Sequence, residues 1–447
     1  MPVIQLPGTP DLLGLHATNP QRYPFLLQTL GCRGWDILFA FPHKQRLFGG
    51  LPGQEKSFLS ELDEEWEKGR SRSGQEGSGL PFHGGWFIYL GYELLHQMEP
   101  TVEAKPQTLG PTTRGQERDF PLAALVRIPA AVMVDRVEGK TFLFAEDTCS
   151  HLLETLRADL SGVTEFAGGQ VRVERLEEEN EQIFLHGVEK VKRYIREGDV
   201  FQVNLARQWR ARIKSRDSAA DVYVRLRENN PAPFAGLADF GRQQIISSSP
   251  ERLAKVRDGM IETRPIAGTH PRAAAPEEDE RLRQHLLASP KERAEHIMLV
   301  DLERNDLGRV CVPGSVEVNE LMAVCSYAHV HHIESSVRGR LRENTSPSEI
   351  LRALFPGGTI TGCPKVRTMQ IISELEANPR CAYTGSMGYV NLDGSMDLNI
   401  LIRSFMLEGN ALTFKAGAGI VADSDPLLEL AETRAKAKGL LRSLGVE

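Results

Sequence analysis

Strand-like runs in this sequence follow one another in groups, separated by helical patterns, instead of alternating singly with helices. Each run is rich in β-branched and aromatic residues. The runs cover residues 35–41, 85–92, 130–134, 141–144, 244–248, 385–391, 399–407 and 412–416. Strict alternation of strand and helix is typical of parallel sheets, whereas consecutive strands favour antiparallel pairing. The sequence therefore predicts an α+β fold with antiparallel sheet.

Apolar residues recur at helical spacing in several segments between these runs. The helices predicted in this way span residues 178–197, 219–228, 277–287, 346–354, 365–376 and 427–444. Two further segments, 67–79 and 102–119, are polar and lack periodicity, and they contain glycine with serine or proline. These two segments are predicted to be flexible surface loops.

Composition and charge exclude several classes of protein. The 447 residues carry a net charge of −7, which disfavours nucleic acid as a partner. No stretch approaches the roughly 18 apolar residues of a membrane span, and the N-terminus lacks the features of a signal peptide. The six cysteines are scattered without metal-site spacing, which is typical of a reducing compartment. We expect a soluble cytoplasmic protein with no membrane partner.

The segment 355–376, FPGGTITGCPKVRTMQIISELE, places a loop rich in glycine and threonine before a predicted helix. Gly357 and Gly358 permit a tight turn, Thr359 adds a hydroxyl, and Pro364 is excluded from a helix interior. Backbone amides at a helix N-terminus attract anions. Local sequence leaves two interpretations open, an anion site and a surface turn.

Two glutamates in helix-like stretches, Glu295 and Glu432, form a candidate Mg²⁺ site. Mg²⁺ usually takes one or two protein carboxylates and completes its shell with water or substrate oxygens. Glu429 lies one helical turn before Glu432, as a supporting acid would, and Lys436 lies one turn after it. The alternative is that each glutamate is a solvated surface residue and that Glu432 and Lys436 form an ordinary helical pair.

Three further features are candidates for binding an anion. Arg403 lies in an apolar run predicted to be a strand, where it needs either a bound carboxylate or a buried ion pair. Tyr383 would donate its hydroxyl to the same anion, or it is a core residue with a satisfied hydroxyl. Gly417 and Gly419 follow a strand-like run, where a tight turn is the default and exposed backbone amides are the alternative.

Three histidines, His329, His331 and His332, cluster in SYAHVHHIESS. A zinc site is one interpretation, but HExxH spacing and a cysteine ligand are missing. His332 and Glu334 also have the His-x-Glu spacing of a glutaminase triad. None of the six cysteines lies in the glycine-flanked turn that the nucleophile of such a triad needs. The chain is therefore not expected to hydrolyse glutamine unaided.

Six segments follow one another in an order that is specific to one family. They are PIAGT at 265–269, EHIMLVDLERND at 295–306, FPGGTITGCPKVR at 355–367, the stretch 389–403, AGAGIVADSD at 416–425 and ETRAKA at 432–437. Together they closely resemble the chorismate-utilising enzymes: anthranilate synthase component I, aminodeoxychorismate synthase component I, and the isochorismate and salicylate synthases. The resemblance implies a single large α+β unit of two face-packed antiparallel sheets with helices outside. It also implies an N-terminal subdomain, residues 1–175, interleaved with a chorismate-binding catalytic region, residues 176–447.

The family binds chorismate, a dicarboxylate, on Mg²⁺, and the resemblance implies a role for each matching residue. Glu295 and Glu432 match the metal ligands, with Glu429 in support. Glu251, in SSSPERL, matches the general acid that protonates the departing C4 hydroxyl, so its pKa should be raised. His332 matches a histidine near the ring. The residues that match contacts to the substrate carboxylates or ring are Thr359, Tyr383, Arg403, Gly417, Gly419 and Lys436.

Two positions bear on the reaction that this resemblance implies. Gln202 stands where isochorismate and salicylate synthases carry a lysine that activates water, and a neutral glutamine indicates amination by ammonia instead. The ammonia would come from a separate class I glutaminase subunit. In PIAGT, Ala267 stands where many aminodeoxychorismate synthases have a lysine that attacks C2, and where anthranilate synthases have alanine.

The N-terminal region favours the aminodeoxychorismate synthases. Residues 24–42, PFLLQTLGCRGWDILFAFP, carry Gln28-Thr29 in place of the Glu-Ser of the anthranilate synthase signature, which helps form a tryptophan inhibitor pocket. WDILFAFP and FPGGTITG also resemble the aminodeoxychorismate synthases. The expected function is thus Mg²⁺-dependent amination of chorismate at C4, for 4-aminobenzoate and folate synthesis. The alternatives are anthranilate synthase, which releases pyruvate, and a non-catalytic chorismate-binding module.

Overall fold

The computed structural model describes residues 2–31, 34–49, 57–70, 79–102, 120–214, 218–273, 275–326 and 330–446. Its strands are β1 (Val3–Pro7), β2 (Phe25–Gln28), β3 (Trp35–Ala40), β4 (Gln45–Phe48), β5 (Gly85–Leu90), β6 (Ala123–Ile128), β7 (Ala130–Asp135), β8 (Lys140–Ala145), β9 (Val173–Glu178), β10 (Gln202–Ile213), β11 (Phe234–Asp239), β12 (Gln243–Ser249), β13 (Arg252–Arg257), β14 (Met260–Thr263), β15 (Ile266–Pro271), β16 (Glu317–Ser326), β17 (Val330–Arg340), β18 (Gly362–Cys363), β19 (Ser386–Asn391), β20 (Met396–Asn399), β21 (Ser404–Glu408) and β22 (Ala411–Ile420). Its helices are α1 (Leu12–Thr18), α2 (Phe58–Arg70), α3 (Leu152–Ser161), α4 (Glu181–Arg196), α5 (Ala219–Asn229), α6 (Pro276–Ala288), α7 (Pro290–Gly308), α8 (Pro347–Leu354), α9 (Lys365–Leu375) and α10 (Pro426–Ser443).

The strands form two large sheets, and every strand pair in the described part of the chain is antiparallel. The order in the first sheet is β1-β8-β7-β3-β2-β11-β12-β21-β22-β10-β18, with β9 also paired to β10. The order in the second sheet is β15-β17-β14-β13-β20-β19-β5-β6-β4, with β16 also paired to β17. The predicted α+β fold with antiparallel sheet is confirmed.

The two sheets pack face to face through a layer of buried aromatic rings. Phe25 of β2 stacks on Phe87 of β5 with ring centroids 4.0 Å apart, and Phe39 of β3 meets Phe87 edge-on at 5.5 Å. All three rings are fully buried. Burial of apolar surface, at about 25 cal/mol per Å², is the main favourable term holding two such faces together.

Helices cover the outer faces of both sheets. Leu12 of α1, Val222 of α5 and Leu440 of α10 share a buried cluster with the first sheet. Leu62 of α2 and Val300 of α7 share another with the second sheet. The predicted arrangement of two face-packed sheets with helices outside is confirmed. Within the described residues, no helix is both long and apolar enough to pass through a membrane.

Both sheets combine strands from residues 1–175 with strands from residues 176–447. In the first sheet β2 pairs with β11, and in the second sheet β5 pairs with β19. The two parts of the chain are thus joined by backbone hydrogen bonds and not only by side-chain contacts.

Two predicted segments differ in the structure, and a third lies almost wholly outside the described residues. The run 399–407 is not one strand, because Arg403 has a left-handed φ of 53° that interrupts the extended chain between β20 and β21. The segment 67–79 begins as the last turn of α2, and residues 71–78 lie outside the described residues. Apart from its first residue, Val102, the segment 102–119 lies outside them too.

Candidate active site

A cavity of about 230 Å³ opens between strands of both sheets, α10 and a 3₁₀ turn at Gly358–Ile360. The predicted site residues that line it are Glu251, His332, Thr359, Tyr383, Arg403, Gly417 and Lys436. The predicted site residues that do not line it are Gln202, Ala267, Gly419, Glu295, Glu429 and Glu432. Motifs far apart in the sequence are thus brought to one place by the sheet topology.

Glu251 is a buried acid between β12 and β13, with only 5% of its surface exposed. Burial raises the pKa of its carboxyl to about 8, and the charges of Glu303 and Glu334 act in the same direction. The Thr359 hydroxyl and the Ile266 backbone amide oppose this shift. The raised pKa agrees with the expectation from sequence. Glu251 therefore keeps its proton at neutral pH, as a general acid must.

His332 projects from β17 into the cavity as a neutral ring. Burial lowers its pKa to about 4, and the positive charges of Arg403 and Lys436 contribute to the same shift. Its Nδ1 lies 3.2 Å from the carbonyl oxygen of Gly268, which can only accept. Nδ1 therefore carries the proton and donates a hydrogen bond to that oxygen. The ring consequently presents an unprotonated Nε2.

Arg403 and Tyr383 form a polar wall of the cavity. The guanidinium of Arg403 forms no hydrogen bond or ion pair within the described residues, and burial lowers its pKa, which Tyr383 and Glu432 partly offset. Burial likewise raises the pKa of Tyr383 to about 12, so its hydroxyl is a donor at neutral pH. A guanidinium without a protein partner is suited to a bidentate carboxylate. The backbone strain at Arg403 is of the kind that clusters at ligand sites.

Two buried polar atoms of the cavity lack good hydrogen-bond partners. Thr359 Oγ1 lies close enough to Glu251 to lower its pKa, yet no acceptor meets it with good geometry. Asn204 Oδ1, on β10, is also buried without a partner. Leaving a buried polar group unpaired costs about 1–3 kcal/mol, so both atoms are suited to a polar ligand.

Sequence reasoning missed Asn204 and Lys415, both of which line the cavity. Alternation along a strand places Asn204 on the same face as Gln202, two residues earlier, and this signal would have found it. Lys415 is a charge in the apolar strand β22, which is the signal that singled out Arg403. Its Nζ donates to the carbonyl oxygen of Asn378 at 2.9 Å and lies 3.5 Å from Glu376.

Gly417 and Gly419 lie within β22 and not in a turn after it, which corrects the sequence interpretation. A Cβ at Gly417 would lie 2.6 Å from Asn204 Oδ1 and 2.9 Å from the Tyr383 hydroxyl. A Cβ at Gly419 would lie 2.4 Å from Gln202 Nε2. These glycines are needed because polar side chains approach the strand closely, and not because the chain reverses.

Gln202 and Ala267 are near the cavity in sequence: Gln202 precedes Asn204 by two residues on β10, and Ala267 follows Ile266. Gln202 is buried at the start of β10, and its Oε1 has no hydrogen-bond partner. Ala267 pairs with Ile333 between β15 and β17 and is half-buried, while its neighbour Ile266 lines the cavity.

The candidate metal ligands come from two helices. Glu432, on α10, has a side chain that is 47% exposed, with Oε1 2.6 Å from Lys436 Nζ. Glu429, one turn earlier, is buried and accepts a hydrogen bond from Ser424 Oγ at 2.7 Å. Glu295, on α7, is half-buried. No group of three or more His, Cys, Asp or Glu side chains in the described part of the chain is arranged to hold a metal.

The histidine cluster does not form a zinc site among the described residues. His331 Nδ1 lies 2.8 Å from Ser326 Oγ, and its Nε2 lies 3.1 Å from Asp279 Oδ1. His332 faces the cavity instead, as strand alternation predicts. His329 lies outside the described residues.

The loop of segment 355–376 reaches the cavity through Thr359 and Ile360 only. The Thr361 hydroxyl donates to the carbonyl oxygen of Gly357 at 2.9 Å and stabilises the turn. Strand β18 then pairs with β10 and separates this turn from α9, which starts after Pro364. The N-terminus of α9 therefore does not line the cavity.

A larger cavity, about 450 Å³, lies elsewhere between the sheets and contains none of the candidate site residues. Gln28 and Thr29 of the N-terminal region are part of its lining. Asp36 accepts hydrogen bonds from both residues: its Oδ1 from the Thr29 amide at 3.1 Å and its Oδ2 from Gln28 Nε2 at 2.8 Å. Its size alone does not make it the active site, because the buried acid and the unpaired donors lie in the smaller cavity.

Comparison with known proteins identifies the family. The model of the family described as chorismate binding enzyme matches residues 24–442. The chain is 40% identical over 410 residues to the anthranilate synthase component I-like protein of Synechocystis sp., covering 90% of this chain and 81% of that protein. It is 48% identical over 265 residues to aminodeoxychorismate synthase component 1 of Bacillus subtilis, covering 58% of this chain and 55% of that protein. The crystal structure of anthranilate synthase component I from Streptococcus pneumoniae matches with a TM-score of 0.78 at 31% identity, over 93% of each chain. The chain therefore belongs to the chorismate-binding enzymes, as a member of the type that comprises anthranilate synthase component I and aminodeoxychorismate synthase component I.

Proposed function

We propose that this chain is aminodeoxychorismate synthase component I, which converts chorismate and ammonia to 4-amino-4-deoxychorismate. The observation that carries this choice of product is the buried network around Gln28. Its Nε2 donates to Asp36 Oδ2, and its Oε1 accepts from the Tyr223 hydroxyl at 3.0 Å. A carboxylate at position 28 has no proton to donate to Asp36, so the network requires the amide. Anthranilate synthases usually carry glutamate here, and the amide network therefore supports the other product.

Glu251 is the proposed acid for removal of the C4 hydroxyl. Hydroxide is a poor leaving group. Burial raises the pKa of the Glu251 carboxyl to about 8, so the carboxyl is protonated at neutral pH. Transfer of that proton lets the hydroxyl leave as water. The lone pair of ammonia forms the new C–N bond, and the resulting ammonium returns a proton to the Glu251 carboxylate.

Gln202 and Asn204 support ammonia over water as the nucleophile. Both are neutral amides on the same face of β10, and each has a buried oxygen without a partner. An amide cannot remove a proton from water, whereas ammonia has a free lone pair and needs no base. The Asn204 carbonyl oxygen, which borders the cavity, is suited to accept a hydrogen bond from ammonia.

Arg403 is the proposed anchor for one carboxylate of chorismate. Its unpaired guanidinium, the Tyr383 hydroxyl and the Thr359 hydroxyl all border the same cavity. Charge-assisted hydrogen bonds to arginine are about twice as strong as neutral ones. The neutral His332 ring fits a place beside the substrate ring, where a second positive charge is not required.

Mg²⁺ is the proposed cofactor, held by Glu432 and Glu295 with Glu429 in support. The donor set fits the ion, since these are hard carboxylate oxygens and Mg²⁺ needs only one or two of them from a protein. Water and a substrate carboxylate would complete the shell, in keeping with the absence of a larger ligand cluster among the described residues. When bound, the ion neutralises a substrate carboxylate and stabilises charge that develops in the ring.

The ammonia source that we propose is a class I glutaminase subunit. His332 faces the cavity, while Glu334 lies 3.7 Å from Arg264, so this pair is not arranged as a glutaminase triad. None of the free cysteines of the described residues lies in a glycine-flanked nucleophile turn, and free thiols suit a cytoplasmic protein. The pathway that would use the product is the 4-aminobenzoate branch of folate synthesis.

A second candidate function is anthranilate synthase component I. Ala267 favours it, because the resemblance places alanine here in anthranilate synthases and lysine in many aminodeoxychorismate synthases. Anthranilate synthase names among the relatives point the same way. In this reaction nitrogen is added at C2 and the enolpyruvyl group leaves as pyruvate.

The two products are separated by incubating the purified protein with chorismate, Mg²⁺ and ¹⁵N-labelled ammonium salt. Product NMR then locates the nitrogen, and a lactate dehydrogenase assay measures pyruvate. We expect nitrogen on C4 and no pyruvate. Nitrogen on C2 with stoichiometric pyruvate would replace the first candidate by the second, and isochorismate alone would refute amination.

A further inference from the structure

Glu303 is a second buried acid, close to the cavity that Glu251 and Thr359 line. The proposed reaction gives it no role. It lies on α7 with 6% of its surface exposed. Its Oε2 accepts a hydrogen bond from the Thr263 hydroxyl at 2.9 Å, at the end of β14. Its other oxygen approaches the backbone of Gly358, where a Cβ would lie 3.3 Å from Oε1. One carboxylate thus touches two segments, β14 and the 3₁₀ turn.

Both segments continue directly to groups that border Glu251. Three residues after Thr263, the Ile266 amide acts on the Glu251 carboxyl, and one residue after Gly358 the Thr359 hydroxyl does the same. Glu303 is therefore placed to fix the two sides of the pocket that holds Glu251. Its own charge also acts on Glu251 directly.

We propose that Glu303 is a positioning residue for Glu251: its carboxylate holds the Gly358 turn and the end of β14 in place, and its negative charge keeps Glu251 in the acid form. This inference rests on the proposed role of Glu251 as general acid. Burial raises the pKa of Glu303 to about 7, which is below the value of about 8 for Glu251, so Glu303 loses its proton first. The Thr263 hydroxyl, the Gly358 amide and the nearby Lys365 favour the ionised form of Glu303.

The charges around the two acids define the expected behaviour. Burial raises the pKa of Glu303 most, the charge of Asp306 on its own helix raises it further, and Lys365 of α9 lowers it. Lys365 itself pairs with Asp306 at 2.6 Å. Glu251 is influenced by Glu303 and by Glu334 of β17. Loss of one of these two negative charges must lower the pKa of Glu251.

The test is Glu303→Gln, which keeps the side-chain shape and one acceptor oxygen but removes the charge. We expect the basic limb of the kcat profile for chorismate consumption to move down by roughly half to one pH unit. Asp301→Asn is the matched control, since Asp301 is an exposed acid on the same helix, paired with Arg304. In Asp301→Asn, the basic limb of the kcat profile should lie at the same pH as in the unsubstituted protein.

A second readout does not depend on turnover. The ¹³C-carboxyl NMR titration of glutamate-labelled protein follows Glu251 directly, with its signal assigned by its loss in Glu251→Gln. We expect the same downward shift in Glu303→Gln. If the unsubstituted protein consumes no chorismate, the proposed function fails while this titration still decides the role of Glu303.

An unmoved basic limb and an unmoved Glu251 titration in a folded Glu303→Gln protein would overturn the proposal, even if activity fell at every pH. If Glu303→Gln does not fold, Thr263→Val decides. It removes the hydroxyl that stabilises the Glu303 charge, so the Glu251 titration should move in the same direction by a smaller amount. No movement in Thr263→Val would then refute the inference.

Discussion

Lys436 Nζ lies 2.6 Å from Glu432 Oε1, one turn away on α10, and also donates to the carbonyl oxygen of Gly417 at 3.0 Å. The two side chains are 31% and 47% exposed, and such partly exposed ion pairs contribute about 0–1 kcal/mol to stability. The pair therefore does little for the free energy of folding. Its effect is to hold the Glu432 carboxylate beside a residue that lines the cavity.

Glu432→Gln should consequently remove function without removing the fold. We expect turnover of chorismate to fall at least about 100-fold, because a proposed Mg²⁺ ligand is lost, with little change in Tm. Isothermal titration should show weaker Mg²⁺ binding. Glu181→Gln is a matched control, since Glu181 pairs at 3.1 Å with Arg434 of the same helix but lies away from the cavity lining. Near-normal turnover in Glu432→Gln would remove this residue from the metal site.

The raised pKa of Glu251 predicts opposite effects on activity and stability in Glu251→Gln. Activity of the unsubstituted protein should decline as pH rises through about 8, where the acid form is lost. Because the folded pKa exceeds the unfolded one, the associated stability is complete below pH 4.5 and is lost as pH rises towards 8. Glu251→Gln should thus be inactive yet melt a few degrees higher at pH 8, with a smaller difference at pH 5. Equal Tm differences at both pH values would contradict the buried-acid assignment.

Alanine at the two glycines of β22 should have unequal effects. The Cβ of Gly417→Ala would meet the Leu205 backbone oxygen at 2.9 Å as well as two polar side chains, and a backbone atom cannot move aside cheaply. Gly419→Ala would meet only the flexible end of Gln202. We expect chorismate affinity, measured by titration calorimetry, to fall more in Gly417→Ala. Adding Gln202→Ala should restore affinity to Gly419→Ala but not to Gly417→Ala, and equal rescue would be inconsistent with this geometry.

Arg403 should show the behaviour of a bidentate carboxylate anchor. Arg403→Lys keeps the charge but loses the planar pair of donors, and we expect KM for chorismate to rise about 10-fold or more. Arg403→Gln should raise KM further. Because the guanidinium has no protein partner among the described residues, neither change should lower Tm by breaking an ion pair. A large loss of Tm with unchanged KM would assign Arg403 to the fold.

Ala267→Lys tests whether position 267 faces C2 of chorismate. Ala267 is half-buried next to Ile266, which lines the cavity, and the long lysine stem gives the amine reach. We expect intact-protein mass spectrometry to detect a covalent substrate adduct after incubation with chorismate and Mg²⁺. Ala267→Met has similar length without an amine and should give none. Absence of an adduct in both would show that the residue does not face C2.

Sequence predicted the elements well where packing and pattern coincide. The helical spacing of 427–444 marks one buried face, and α10 appears close to the predicted bounds. The run 385–391 is buried throughout and appears as β19, also close to its predicted bounds. Pattern failed at Arg403, because a left-handed residue inside an apolar run leaves no compositional trace. It failed at Gly417 for a related reason: a glycine required by a neighbouring side chain looks the same as a glycine required by a turn.

Only part of the candidate site could be predicted from sequence, for a similar reason. Glu251, His332 and Arg403 were predicted from the motifs that carry the family resemblance, and all three line the cavity. Asn204 became visible through its unpaired buried oxygen, which depends on the distant Thr359 and Gly417. The burial that raises the pKa of Glu251 likewise comes from residues remote in sequence, so no local pattern could predict its size.

The pairing of β2 with β11 and of β5 with β19 has a consequence for synthesis of the chain. When residues 1–175 leave the ribosome, β2 and β5 each lack a neighbour that is made later, and their free edges can pair with another nascent chain. The last two strands to be made, β21 and β22, lie inside the first sheet, between β12 and β10, and not at its edge. Both sheets can therefore be completed only after nearly the whole polypeptide has been made, and we expect either part expressed alone to aggregate.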